Sequence, residues 1–274
     1  MPRSAILNVM VTAARKAGSS LARDFGEVQN LQVSLKGPSD YVSQADRKAE
    51  EIIYQELSRA RPGYAFLMEE RGEVAGDDPQ HRWIVDPLDG TTNFLHGLPF
   101  FAVSIGLERQ GQLVAGVIFN PVMDELFTAE RGGGAFVNDR RMRVAARTRL
   151  SDAVIGTGIP HLGRGHHGQA LIDLKNVMGE AAGIRRYGAA ALDLAYVAAG
   201  RVDGFWEDYL SPWDMAAGVL MVREAGGFAS DRTGGQDMFG TGTIVAGNEA
   251  IHRELLKQLG PGLVRSQGRA AGAS

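Results

Sequence analysis

Apolar residues recur every three or four positions through Ile6, Val9, Met10, Ala13, Ala14, Ala17, Leu21 and Phe25, the spacing that lays one apolar stripe along an α-helix. Ile52, Ile53 and Leu57 repeat the spacing after Ser43, so two N-terminal helices are expected. The period then changes. Residues 64–68 and the run Trp83-Ile84-Val85 are short, apolar and rich in β-formers, and Pro87 supplies the breaker that should end the second of them. Stretches at 102–107, 113–119 and 126–129 are separated by Gln110-Gly111-Gln112 and Asn120-Pro121, which predicts an antiparallel meander. Gly132-Gly133-Gly134 has no Gly-Lys-Ser/Thr behind it, so a flexible turn into a short strand at 135–137 is expected rather than a phosphate cradle. Asn138-Asp139-Arg140 reads as another turn.

The second half alternates. Short strands at 154–156, 183–187, 202–206 and 244–246 are interleaved with helices near 166–178, 189–199, 212–225 and 248–259. No internal repeat is visible. The expected organisation is an N-terminal α+β part over 1–145, a C-terminal α/β part over 146–262 and a frayed tail over 263–274. The chain has 274 residues, long enough for a substantial core, with 44% hydrophobic and 22% charged residues, as in ordinary globular proteins. A net charge of −3 gives no electrostatic case for nucleic acid or an anionic membrane. Cysteine is absent, which rules out disulfides and thiol catalysis. Residues 1–8 lack the apolar core of a signal peptide and no run approaches membrane-spanning length, so a cytoplasmic protein is expected.

The candidate chemistry lies in Trp83-Ile84-Val85-Asp86-Pro87-Leu88-Asp89-Gly90-Thr91-Thr92-Asn93-Phe94. A buried strand runs into Asp86 and Asp89, two like charges close enough to need water or a divalent cation between them. Such hard oxygen ligands suit Mg²⁺, which keeps waters and shares its remaining positions with substrate phosphate. The small residues from Gly90 to Asn93 can open a helix whose free N–H groups attract an anion. Asp-Gly on its own is more often a turn, and Glu69-Glu70 on its own is more often a solvated face. Asp214 stands in the first turn of a helix started by Pro212. Ser43 and Asp46 alone suggest a helix cap. His161, His166 and His167 sit in a Gly-rich segment without zinc-ligand spacing, and a surface loop is expected there. Ser104 lacks the Gly-x-Ser-x-Gly elbow of a hydrolase nucleophile.

The string WIVDPLDGTTNF resembles the first metal-binding motif of the inositol monophosphatase family of lithium-sensitive, Mg²⁺-dependent phosphatases. Pro212-Trp213-Asp214-Met215-Ala216-Ala217-Gly218 is similar to the family's WDxAAG motif, and residues 185–194 to its pocket-lining stretch. The resemblance spans about residues 1–260. It implies an α/β (α+β) fold, a layered α-β-α-β-α sandwich of the inositol monophosphatase and fructose bisphosphatase type. It implies two or three Mg²⁺ ions, with Mn²⁺ possible. Glu69, Asp86 and the Leu88 carbonyl would hold one ion, and Asp86, Asp89 and Asp214 another. Thr91 and Asp46 match the pair that orients and deprotonates the attacking water, with Glu69 beside them. Met68 stands where the family usually has Gly.

The substrate's phosphate would rest on Gly90 and Thr91. Its alcohol part would meet Asp89, Arg185, Gly188, Ala189, Ala190, Glu207 and Asp214. A dimer contact is the alternative place for Arg185. The implied activity is hydrolysis of myo-inositol 1-phosphate or similar polyol and sugar monophosphates. Tyr187 and residues 207–211 depart from common bacterial members, so related phosphatase activities stay open: fructose 1,6-bisphosphate, histidinol phosphate or 3',5'-bisphosphate nucleotides. Thr91-Thr92-Asn93-Phe94 favours the inositol version. The implied assembly is a homodimer, and some bacterial relatives also act in ribosomal RNA transcription through a protein partner.

Overall fold

The computed structural model describes residues 3–31, 38–161 and 165–260, with backbone alone at 28–31 and 38–43. In chain order the elements are α1 (Ala5–Leu31), α2 (Pro38–Ala60), β1 (Tyr64–Met68), β2 (Gly72–Val74), β3 (Asp78–Asp89), α3 (Thr91–Leu95), β4 (Ala102–Arg109), β5 (Gln112–Asn120), β6 (Glu125–Glu130), β7 (Gly134–Val137) and β8 (Arg140–Arg141). The second half adds β9 (Val154–Thr157), α4 (His167–Met178), β10 (Gly183–Arg185), α5 (Ala190–Ala198), β11 (Gly204–Asp208), α6 (Pro212–Glu224), β12 (Phe228–Ser230), α7 (Met238–Thr241), β13 (Thr243–Gly247) and α8 (Glu249–Leu259).

The first sheet has eight strands in the order β2-β1-β3-β4-β5-β6-β7-β8, antiparallel except for the β1–β3 pair. Strand alternation sends Trp83, Val85, Val103 and Ile105 to one face, where they share a core with Met10, Leu21, Ile53 and Leu57 of α1 and α2. The apolar stripe read at the N-terminus is the stripe buried here. A second sheet, β10-β9-β11-β13-β12, mixes parallel and antiparallel pairs. Helices α5 and α6 lie between the sheets, in one core that takes Ile118 and Phe127 from the first and Phe205, Ile244 and Ala246 from the second. The alternate residues Trp206 and Val245 point outward, to Val177 of α4 and to Ile251 and Leu255 of α8. The layer order is α-β-α-β-α.

The middle layer is tight. A Cβ on Gly106 of β4 would stand 2.9 Å from the Cβ of Ala216, and one on Gly116 of β5 would stand 3.1 Å from the Ala217 backbone. Small residues on both elements let α6 lie directly on the strands and fix its N-terminus over their ends.

Several elements differ from the sequence reading. Pro87 does not end β3. The strand pairs regularly up to Asp86 with Ser104, slips, and resumes at Asp89 with Ala102, so three steps on β3 face two on β4. Pro87 sits in this bulge, where its missing N–H costs no ladder bond. Asp46 does not start a helix; α2 begins at Pro38. The third strand of the second sheet starts at Gly204 and runs through Glu207 to Asp208, while β10 stops at Arg185. Gly132 and Gly134 are not a free turn, because their N–H groups donate to the two oxygens of the Glu224 carboxylate, both at 2.9 Å. Asn138 and Asp139 form a tight hairpin turn at φ 45° and 62°, as expected from their types. The tail at 263–274 lies outside the described residues.

Candidate active site

The bulge in β3 delivers the acids. Asp86 is buried, and its Oδ1 accepts from Leu88 N–H at 2.9 Å. Asp89 closes the strand, and its Oδ2 accepts from Ala191 N–H at 2.7 Å, tying the first sheet to the opening turn of α5. Gly90 follows at φ 89°, left-handed backbone, with Phe100 O only 2.9 Å from where a Cβ would be. The chain then enters α3, and Thr91 Oγ1 donates back to Leu88 O at 3.1 Å.

Asn93 staples this corner. Its buried amide donates to Phe100 O at 2.7 Å and to Tyr187 O at 2.8 Å, bridging both halves of the chain. Asn93→Ala leaves both carbonyls without a donor, and a loss of about 2 kcal/mol is expected by urea denaturation. An unchanged midpoint would show that water replaces the amide.

Two further elements converge here. Parallel pairing of β1 with β3 carries Glu69 to the end of β1, where its N–H donates to Val85 O at 3.2 Å. Asp214 is the third residue of α6, in a capping box: Ser211 caps the helix, and Asp214 Oδ2 accepts from Ser211 N–H at 2.8 Å. The capping role and the siting of a carboxylate at the cavity are one arrangement. Ser104 donates to Trp213 O at 3.3 Å and takes no part in a nucleophile triad.

These groups line a cavity of about 470 Å³. One wall carries the carboxylates Glu69, Asp86, Asp89 and Asp214 with Leu88, Gly90 and Thr91. Gly188, Ala190 and Glu207 line the same cavity. Burial first, and then the charges of Glu69, Asp89 and Asp214, hold the Asp86 carboxyl well above the ordinary range. Burial and the Asp214 charge do the same to Asp89. Asp46, behind Glu69 on α2, is pushed up to about 8 by burial and by Glu69, Glu70 and Glu50.

Three expected residues do not reach the cavity. Arg185 is exposed at the end of β10, where its Nη1 donates to Ile184 O; the neighbouring Arg186 lines the cavity instead. Ala189 is the buried N-cap of α5. Asp46 makes no hydrogen bond to Thr91; its Oδ1 is buried without a hydrogen-bond partner, and the Thr91 hydroxyl is turned to Leu88. Arg186 and Asp193 lie within the pocket-lining stretch read from the sequence and Asp208 within 207–211, but none of the three is singled out there as a site residue. Asp193 is a buried acid raised by burial and by Glu207, and besides the stretch it belongs to, its signal is an acid in an otherwise apolar helix. His161, His166 and His167 are exposed as expected, and they also line the cavity rim.

Among the described residues no three acidic or histidine side chains are drawn into a finished metal cage. Asp86, Asp89 and Asp214 are each anchored through one oxygen to a backbone N–H, which holds them apart. The donor set nevertheless suits a hard divalent cation, because it offers buried carboxylates whose mutual repulsion a bound cation would relieve.

The sequence model of the inositol monophosphatase family matches residues 3–263. An inositol-1-monophosphatase of Mesorhizobium japonicum is 76% identical over 257 residues, covering 94% of this chain and 97% of that protein. A Nus factor SuhB of Pseudomonas aeruginosa is 47% identical, covering 94% and 97%. The crystal structure of the extragenic suppressor protein suhB from Bartonella henselae superposes with a TM-score of 0.88 at 70% identity, covering 95% of this chain and 100% of that one. Motifs, layers and likeness over nearly the full length agree: the chain belongs to the inositol monophosphatase family.

Proposed function

We propose that this protein is a phosphomonoesterase that hydrolyses myo-inositol 1-phosphate or a closely similar polyol monophosphate, with Mg²⁺ as its ion. Family membership supports a phosphatase acting on inositol monophosphate, and the family is generally metal-dependent. One observation carries the reading: a cavity lined both by buried carboxylates and by Glu207, which can accept hydroxyl hydrogen bonds. Glu69, Asp86 and the Leu88 carbonyl would hold one ion, and Asp86, Asp89 and Asp214 a second. Bound there, the ions supply Lewis-acid activation of water and stabilisation of the leaving oxygen.

The chain's own groups do the rest. Gly90 and Thr91 present backbone N–H groups to the phosphate at the start of α3, already oriented before reaction. Thr91 would orient the attacking water from the cavity wall, and Asp46, set behind Glu69, would join it only by turning toward the Thr91 hydroxyl. With its carboxyl pushed up to about 8, Asp46 is mostly protonated at neutral pH, so only its ionised fraction could take a proton from water. Asp89, Glu207 and the backbone at Gly188 and Ala190 receive polyol hydroxyls, and Arg186 takes the place expected of Arg185.

The test is phosphate release from inositol 1-phosphate, fructose 1,6-bisphosphate, histidinol phosphate and adenosine 3',5'-bisphosphate, with Mg²⁺ and with EDTA. Release led by inositol 1-phosphate, abolished by EDTA and restored by Mg²⁺ is expected. Turnover indifferent to EDTA would overturn the reading. The relative named as a Nus factor supports a second reading, a protein partner in transcription. Retention of an elongation factor by the purified chain at physiological salt would establish it.

A further inference from the structure

We propose that Arg232 is a positioning residue for the polyol wall of the cavity, holding α4 and the end of β11 together through a buried ionic clamp. The inference rests on the reading of function above and deepens it. Arg232 lies just after β12, and its side chain is 2% exposed. All five of its guanidinium N–H donors are engaged. Nη1 and Nη2 fork onto the two oxygens of Asp173 at 2.7 and 2.5 Å, and Nη1 also donates to Asp208 Oδ2 at 2.6 Å. Nη2 and Nε donate to Leu259 O and Gly260 O, at 2.6 and 3.2 Å, at the C-terminal end of α8.

What the clamp joins is the substrate wall. Asp173 belongs to α4, whose Ala170, Leu171 and Leu174 line the cavity, and Asp208 follows Glu207 directly on β11. Within α4 only Asp173 and Val177 are buried. One of the two buried anchors of that helix is therefore the Arg232 ion pair. Without the guanidinium, Asp173 and Asp208 would be two carboxylates facing each other with no cation between them, an arrangement that buried surroundings penalise heavily. The wall would open at α4 and Glu207 would lose its fixed backing. The carboxylate wall on β3 and α6 shares none of these bonds.

The experiment uses the full chain with Mg²⁺ and compares wild type with Arg232→Met and with Asp208→Asn, which keeps the Arg232–Asp173 fork. Measured are kcat and KM for inositol 1-phosphate, inhibition by inorganic phosphate, and amide exchange across 167–178. KM is expected to rise about tenfold in Arg232→Met and about threefold in Asp208→Asn with kcat within about twofold, the mark of lost substrate positioning without lost chemistry. Phosphate inhibition should stay as in wild type, and exchange should quicken over α4 while α1 and α6 keep their protection. A KM that stays put, or a kcat and a phosphate inhibition that both weaken as KM rises, would overturn the proposal. If Arg232→Met does not fold, Asp208→Asn decides by the same criteria. A wild type inactive on inositol 1-phosphate would sink the reading of function alone, since α4 exchange still reports whether the clamp exists.

Discussion

Asp86→Asn is expected to lower phosphate release on the order of 10³-fold, the several kcal/mol a metal centre supplies, and at the same time to raise the melting temperature of the metal-free protein. The two effects share one cause. Asp86 is buried beside Glu69, Asp89 and Asp214, so without a cation its charge is unfavourable in the fold. Asn keeps an oxygen for the Leu88 N–H and removes the charge. The pH dependence follows from the direction of the shifts. Asp86, Asp89 and Asp46 all bind protons more tightly in the folded chain than in the unfolded one. Their contribution to stability is fully present below the ordinary carboxylate value of about 4 and is lost as pH rises through the folded values. The melting-temperature gap between Asp86→Asn and wild type, both metal-free, should therefore widen as pH rises above about 4. Saturating Mg²⁺ should raise wild type at neutral pH and close the gap. A variant less stable than metal-free wild type at pH 7 would refute this account of the cluster.

The largest effect on stability is expected from Gly218→Val. A Cβ at Gly218 would stand 2.5 Å from the Leu194 Cβ, and neither α5 nor α6 has room to move, because α6 lies on the glycines of β4 and β5. Overpacking of this kind costs about 3 kcal/mol at the upper end of its usual range, and more where backbone must shift. For a chain of this size the loss corresponds to a fall in melting temperature of roughly 6–12 °C. Differential scanning calorimetry with Mg²⁺ present would measure it. A fall under about 2 °C would mean that the layer repacks with ease.

Long periodic segments and the motif were legible in the sequence; short elements and register were not. The stripe from Ile6 to Phe25 predicted α1, and alternation at 102–129 predicted the meander, because both patterns persist over many residues. The strands β2 and β12 have three residues each and β8 has two, too few for a period to register. Pro87 was misread because local chemistry says break, whereas a bulge lets the strand absorb it. Asp86, Asp89 and Asp214 stood out through their motifs. Arg185 and Arg186 could not be told apart from sequence, since which of two neighbouring arginines faces a cavity depends on where β10 ends. Arg232 gave no signal at all, because its partners lie 59 and 24 positions away.

The close fit of α6 against the first sheet has a bearing on how such a chain can change over generations. Single substitutions at Gly106, Gly116, Ala216 or Ala217 add volume where none exists, so that face can drift only by compensated pairs of changes. The α4 side is different, with Leu171 and Ile172 both exposed. Single steps there are cheap in stability. Variation in substrate range is thus open to one-step mutation on the α4 side, while the hydrolytic apparatus is guarded by steric necessity.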